Sequence, residues 1–491
     1  MMAAGLILGV ALRFLMLASS KSFWGDEWFT MGLVQKPTLA VFYGAVQDVH
    51  PPFYFLLLHG VTRFLGMGEW ALRSVSIAAG VGLLVAVYFL AETLFSRNRA
   101  VLALFLTAIS PYWLQSSNEV RGYSLLAFLA CASAVFFLKA LKNPGQKKWV
   151  WGYGLFLILA VYTEHYAWFI WLAVSITVFL SRGENGIRSD WARIQTGFFI
   201  LGLPSLAMIV FQAFFRENMF HIYRVREYQN FFMILKKVVG LFWHFSCGYT
   251  YAMLDQERIR YHLQHSGFFW TSAITALAAS ACAGGALARL FRRDIKKFGF
   301  SFSILVLPVL FLAFFYPIRL DARYLSFAAP IFYVLLADGF CRIQNRIWAT
   351  VLIGSYLLVS SVGSAQAIFL KTDPVHKEDY LSQILYVRDR VHPKDATCGE
   401  APQIAYYQKR RGIKIEAPSF AIWDEFAASD TSRFDRVWLL DARNMNRRAA
   451  ENDFQRVTGY FSSLGFYPAA GPIVFGGDEG LTVVCLFDRK K

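Results

Sequence analysis

The stretch IAAGVGLLVAVYFLAETLF, residues 77–95, carries a single charge, Glu92. A helix rising 1.5 Å per residue needs about 20 apolar residues to cross ~30 Å of hydrocarbon, so this run reads as a membrane span. FSILVLPVLFLAFFYPI, residues 302–318, is a second and slightly shorter one. Outward from these two runs the chain keeps the same character. Its 491 residues are 56% hydrophobic, 17% aromatic and only 17% charged, too apolar for a water-soluble protein of that length. The formal net charge of +16 raises the question of nucleic acid. In a multispanning protein, however, surplus Lys and Arg mark cytoplasmic loops, so the expected partner is the lipid bilayer and no nucleic acid.

Hydropathy read together with the basic residues threads a polytopic α-helical membrane protein with about 11 transmembrane helices. Residues 1–370 form the transmembrane module. The run at 3–19 lacks a basic leader and is interrupted by Arg13, so it is expected to be a retained first helix rather than a signal peptide. Residues 20–69 make a first external loop, in which HPPFYFLLLHGVTRFLG, started by Pro51 and Pro52, is expected to lie along the interface. Spans follow at 71–95, 100–114 and 123–141, then a pair at 149–163 and 166–181. Spans at 195–214 and 268–290 bracket a long external loop, 215–267, and a last span covers 347–369. The basic segments SRNR, KNPGQKK, RRDIKK and CRIQNR fall inside, while PIRLDAR, 317–323, falls outside.

From residue 371 to 491 charges become frequent and no window is long enough to span. FDRVWLLDARN and LTVVCLFDRK read as buried strands, and KEDYLSQILYVRDRV has helical spacing of its apolar residues. A small C-terminal extracytoplasmic α/β domain is expected there. Among the six cysteines there is no CxxC or Cys/His metal spacing. Cys398 and Cys485 have the option of pairing in an oxidising compartment or of remaining unpaired in the domain core.

The threading gathers the polar clusters on one face of the membrane, where ionisable groups usually line a water-filled cavity and mark function. FWGDEWFTMG, 23–32, sets Asp26 and Glu27 between Trp24 and Trp28. An interfacial anchor explains the tryptophans but not the carboxylates, whereas a carboxylate beside an aromatic cavity can act as general base. SNEVRGYSLLAF, 117–128, places Glu119, Arg121 and Tyr123 at the start of a span. Glu119 there offsets the helix dipole, but Arg121 needs an anion, either Glu119 or a bound phosphate. RLDARYLSFAAP adds Arg319 and Arg323, suited to a phosphate headgroup or else to an ion pair with Asp321. VYTEHYAWF holds Glu164 and His165; with Asp48 and His50 they are the ligand types of a divalent-metal site, though nothing in their spacing requires one. No phosphate-loop or dinucleotide fingerprint is present, so a transferred group would come from the membrane.

DEWFTMG, HPPFYFLLLHG, LTAISPYWLQSSNEVRGYSLLAF and ARYLSFAAPIFYVLLADG, taken in this order, resemble the lipid-phosphosugar-dependent GT-C glycosyltransferases. The nearest branch is that of the protein O-mannosyltransferases and lipid A aminoarabinose transferases. The resemblance runs over roughly residues 1–345. It implies Asp26 as the catalytic aspartate of the first external loop, Glu27 as its neighbour and Glu119 as the second acidic residue. It also implies a polyprenyl- or dolichyl-phosphate sugar as donor and an inverting transfer outside the cytoplasm. Val49 and His50 stand where the aminoarabinose branch carries an acidic residue and a lysine. Asp26 would then take the acceptor's proton while Arg121 and Arg323 stabilise the leaving phosphate, with His50, Tyr123, His165 and Arg319 lining the donor. The acceptor is a protein, a lipid or a glycan, and the setting a bacterial inner membrane with site and C-terminal domain facing out. The alternative is a transporter or flippase for a lipid-linked glycan, which would distribute polar residues through the membrane.

Overall fold

The computed structural model describes residues 1–19, 22–48, 50–181, 187–215, 231–248, 267–315, 321–369, 380–399, 401–420, 423–443, 457–477 and 480–489. They divide into two compact units: Met1–Ala18 with Thr30–Phe369, and Ser19–Phe29 with Leu370–Lys491.

The first unit is a helical bundle. Six of its described helices are long and apolar enough to cross a membrane: Glu69–Leu94, Tyr123–Lys142, Asp190–Gln212, Phe269–Arg293, Ile295–Phe314 and Arg346–Phe369. The single span expected at 100–114 is instead two helices, Arg97–Ala108 and Pro111–Asn118, bent by 60°. The break has a local cause: Pro111 opens the second helix and Ser110 caps it, its hydroxyl accepting from the Trp113 amide. Part of the expected external loop at 215–267 is also helical, Phe231–Cys247, while 216–230 and 249–266 lie outside the described residues. Lys236 and Lys237 interrupt its apolar pattern and hide it from a hydropathy scan.

Every residue of the short helix Pro111–Asn118 is buried, and charges from neighbouring helices reach it. Arg13, fully buried in the helix Met2–Ala18, donates through Nε to Ser117 Oγ (3.1 Å) and through Nη1 to the Gly9 carbonyl (2.9 Å). Arg73 Nη1 donates to the Asn118 carbonyl at 2.8 Å. The approach depends on Gly80, where a Cβ would sit 2.1 Å from Ser117 Oγ and 3.0 Å from Arg13 Nε. At another point of the bundle, Asp338 is 2% exposed and meets Arg99 Nε at 2.6 Å, Arg289 Nη2 at 3.1 Å and Arg342 Nε at 3.1 Å. One carboxylate thus ties the helices Arg97–Ala108, Gly267–Arg293 and Ala329–Phe340.

The second unit holds a five-stranded mixed sheet in the order β2-β1-β3-β5-β4. Its strands are β1 (Asp395–Cys398), β2 (Ser419–Phe420), β3 (Arg436–Arg443), β4 (Phe466–Gly477) and β5 (Gly480–Arg489). β1 runs parallel to β2 and β3, and β5 runs antiparallel to β3 and β4. Both faces are covered, so β3 is a continuous apolar run rather than an alternating one. Val437 and Leu439 pack with Phe426 and Phe461, while Trp438 and Leu440 pack with Ile384, Val387 and Tyr407 on the other face. Cys398 pairs with Leu439, and Leu439 in turn with Cys485, so the two cysteines flank β3 in one row. Two inter-strand spacings, roughly 9.5 Å, rule out the disulfide option, and both thiols are buried and outside any disulfide.

Residues 22–29 complete the second face. Trp28 makes edge contacts with Phe23, Tyr380, Tyr406 and Tyr407, at ring separations of 5.4–6.1 Å. The Phe23 amide donates to the Tyr407 hydroxyl (3.2 Å), and the Leu381 amide to Ser22 Oγ (3.2 Å). Trp28 therefore serves as a core residue of this unit, a role the interfacial-anchor reading misses.

Replacing Asp338 by Asn should leave three partly buried guanidinium groups without their counter-charge, at a cost on the order of 3 kcal/mol. The check is the thermal midpoint of the detergent-solubilised protein. An unchanged midpoint would remove Asp338 from the set of stabilising contacts.

Candidate active site

In the first unit Asp48 and the segments 119–123 and 161–165 come together around one buried imidazole, that of His50. The chain leaves the helix Thr38–Gln47 through Asp48, and Pro52 caps the helix Phe53–Leu65. The Phe53 amide donates to the Tyr162 carbonyl at 2.9 Å, which brings His50 beside Glu164. His50 is 7% exposed, Glu164 7%, Arg121 6% and Glu119 4%. Arg121 Nη2 lies 2.6 Å from His50 Nε2, and His50 Nδ1 lies 3.2 Å from Glu164 Oε2.

These distances assign the tautomer. A guanidinium only donates, so His50 Nε2 accepts from Arg121, and the ring proton sits on Nδ1, which donates to Glu164. Arg121 also donates from Nη1 to Thr30 Oγ1 (3.4 Å), and its guanidinium lies 5.9 Å from the Tyr123 ring centre. The backbone behind it is fixed as well: Ser76 Oγ donates to the Arg121 carbonyl at 3.1 Å. Burial alone would raise the Glu164 pKa; the His50 hydrogen bond, followed by the positive potential of His50, His165 and lastly Arg121, outweighs it and holds the carboxyl below its usual range.

His165, next in the chain, turns away from this group. Its Nε2 lies 3.2 Å from Gln212 Oε1 and its Nδ1 3.3 Å from Ser205 Oγ. Gln212 Nε2 donates to the Val46 carbonyl, so its oxygen is the acceptor and His165 Nε2 the donor. His165 thus ties the helix Ile187–Phe215 to the turn before Trp168, and lies one residue away from the imidazole chain.

Arg323 sits in the turn 321–328, whose Ser326 Oγ donates to the Tyr123 carbonyl at 3.1 Å. Its guanidinium reaches Asp321 at 3.2 Å and 3.4 Å, and its amide donates to the same carboxylate at 2.8 Å. Burial would raise the Asp321 pKa, but the charge of Arg323 and these hydrogen bonds, with the charge of His244, hold it well below the usual carboxylate range. Arg319 lies outside the described residues. Asp26 and Glu27 belong to the second unit, in the first turn of the helix Gly25–Val34. Asp26 is half-buried, while Glu27 is 2% exposed and accepts from the Trp24 amide at 3.2 Å.

Among the described residues no three His, Cys, Asp or Glu side chains stand close enough to share an ion. Both ring nitrogens of His50 are already engaged, and Asp48 reaches Nε2 only at 3.8 Å. Glu164, read from the sequence only as a ligand type, is instead the carboxylate that orients His50, with Thr30 as a further support for Arg121. The signal for Glu164 was an acid at the mouth of a span with no lysine or arginine near it in sequence.

Because the Glu164 carboxyl is depressed on folding, its contribution is complete above the ordinary value of 4.5 and falls away as pH drops through the lower folded value. Glu164→Gln should therefore be less stable than wild type at pH 7, by on the order of 1–2 kcal/mol, and the gap should narrow towards pH 4. Thermal midpoints of both proteins across that range provide the check; a gap independent of pH would contradict the assignment.

A family model described as dolichyl-phosphate-mannose-protein mannosyltransferase matches residues 49–209, a range that contains His50, Glu119, Arg121, Tyr123, Glu164 and His165 but neither the acidic pair nor Arg323. No curated protein sequence matches the chain. Among solved structures, ArnT from Cupriavidus metallidurans in the apo state is 11% identical, with a TM-score of 0.54 and 97% of each chain covered. The oligosaccharyltransferase of Archaeoglobus fulgidus in complex with zinc and sulfate is 13% identical, with a TM-score of 0.51 over 89% of this chain and 67% of that one. The same enzyme tethered to an acceptor peptide gives a TM-score of 0.52 at 11% identity, covering 98% of this chain and 74% of that one. At these identities the structural matches speak for the fold, and the family model speaks for residues 49–209 alone. The chain thus shares its fold with ArnT and with the oligosaccharyltransferase, and about a third of it, residues 49–209, is similar to the mannosyltransferase family.

Proposed function

We propose that this chain is a glycosyltransferase of the GT-C type, which takes its sugar from a polyprenyl-phosphate-linked donor and passes it, with inversion, to an acceptor at the extracytoplasmic face of the membrane. The observation that carries the reading is the buried chain Arg121–His50–Glu164, which holds a guanidinium in one orientation inside an apolar bundle. The matched family's description names a dolichyl-phosphate sugar, whose phosphate is the ligand such a group fits.

In the proposed reaction the acceptor's hydroxyl or amine attacks the anomeric carbon from the face opposite the phosphate. The new bond forms as the carbon–oxygen bond to the phosphate breaks, and the bonding pair leaves with the lipid phosphate. Asp26 takes the acceptor's proton, and Glu27 and Glu119 are the further acidic residues of the reaction. Arg121 stabilises the charge that develops on the leaving oxygen, with His50 and Tyr123 behind it. Arg323, already paired with Asp321, is the weaker phosphate ligand of the two arginines. His165 supports the wall of the site through Gln212, and Arg319 enters the proposal from its sequence position alone. No step passes through a metal.

The threading belongs to the same proposal. A module over residues 1–370 with about eleven crossings requires, beyond the six long helices, the bent pair and shorter apolar helices such as Met2–Ala18 and His165–Leu180. Residues 371–491 then form an extracytoplasmic domain, and the membrane is a bacterial inner one.

The test is release or transfer of radiolabelled sugar from a panel of polyprenyl-phosphate sugars by the purified protein in lipid. Asp26→Asn should lower turnover by roughly 100-fold or more while donor binding persists. Arg121→Ala should weaken donor binding itself, by about 10-fold or more. Wild-type turnover from Asp26→Asn would end its role as base. Failure to bind any donor would favour movement of a lipid-linked glycan over transfer.

A further inference from the structure

The second unit contains a cavity of about 460 Å³ at one face of its sheet. That volume lies in the range that holds small organic ligands, ~300–1,000 Å³. Its floor is apolar, made by Ile473, Val484 and Leu486, and Tyr386 and Trp438 bring aromatic surface to it. Tyr386 stands edge-on to Trp438 with ring centres 6.3 Å apart. The rim carries charge from Asp389, Arg390, His392 and Arg436.

Most of that charge is already committed. Arg436 forks onto Asp395 at 2.9 Å and 2.8 Å, and Asp395 is 1% exposed. Asp389 pairs with Arg388 at 2.7 Å. Arg390 is different: it has no carboxylate within ion-pairing distance among the described residues. Its guanidinium lies 3.9 Å from the Tyr386 ring centre, and its Nη1 donates to the Tyr386 carbonyl at 3.2 Å. The backbone of Arg390 is held too, its carbonyl accepting from Arg436 Nη2 at 3.3 Å. Stacking fixes the plane of the fork and leaves its positive charge at the rim of an apolar, ring-lined hollow. Exposed His392 adds a second donor.

We propose that this cavity binds an anionic sugar, with Arg390 on a carboxylate or phosphate group and the apolar floor under the sugar ring. A guanidinium plane presents two parallel donors to such a group, and the less polar face of a pyranose ring suits aliphatic and aromatic walls. A role for the site in holding an anionic glycan acceptor rests on the proposed transfer reaction; the binding itself does not, and it is measured separately.

The experiment uses the full-length protein in lipid nanodiscs and reads binding of glucuronate, glucose 6-phosphate, glucose and inorganic phosphate by ligand-observed NMR. Glucuronate, glucose 6-phosphate or both should bind at least about 10-fold more tightly than glucose and than inorganic phosphate. The two anionic sugars separate a carboxylate from a phosphate as the preferred group. Arg390→Ala should abolish the preference, and Arg390→Lys, which keeps the charge but not the fork, should retain only part of it. Arg433→Ala, an exposed change outside the cavity lining, should bind as wild type, and unchanged thermal midpoints would certify folding of each variant. Anionic sugars binding no better than glucose would overturn the proposal, as would inorganic phosphate binding as well as they do, or Arg390→Ala binding as wild type. Donor turnover measured on the same samples reports the transferase reading independently.

Discussion

The 2.6 Å contact between Arg121 and His50 is the interaction around which the first unit is organised. A guanidinium cannot give up its proton, so burying it in an apolar bundle demands acceptors fixed in advance. His50 can accept only while its other nitrogen carries the proton, and Glu164 makes that tautomer the stable one. The turn at Pro51 and Pro52, the Phe53–Tyr162 hydrogen bond and the Thr30 hydroxyl all serve to keep these groups in register. Arg13 and Asp338 show the same requirement met by other means, the first with Ser117 and a backbone carbonyl, the second with three arginines drawn from separate segments.

Much of the fold could be read from the residues because hydrocarbon imposes a single rule. Runs such as 77–95 have no other stable home than a long helix. The rule weakens wherever polar groups are buried inside the bundle. The bend between Ala108 and Pro111 depends on Ser110 and Pro111, which a hydropathy window averages away. The helix Phe231–Cys247 escapes because its two lysines lower the same average. In the sheet, the apolar runs at 436–443 and 480–489 announce strands, but their order does not follow from composition. That order, with β3 between β1 and β5, is what separates Cys398 from Cys485.

The candidate site was legible by residue type and opaque in its pairings. Arg121 stood out as a cation at a helix start that needed an anion, and His50 as a polar residue before a proline pair. That Glu164 would orient His50, rather than join it on a metal, depends on contacts between residues 114 positions apart. No local pattern encodes such a contact. His165 shows the converse, since its place beside Glu164 in sequence says nothing about its partner Gln212 on another helix.

The segment Ser19–Phe29 groups with residues near the end of the chain, and the Phe23–Tyr407 hydrogen bond spans 384 positions. During synthesis the acidic pair therefore emerges long before the aromatic residues that its flanking Trp28 packs against. Until Tyr380, Tyr406 and Tyr407 have been made, Phe23 and Trp28 have no core to enter, and closing so long a loop is paid in chain entropy. Assembly around Asp26 is thus a late event in biogenesis. A prematurely terminated chain would insert its bundle yet leave that carboxylate on an unanchored tether.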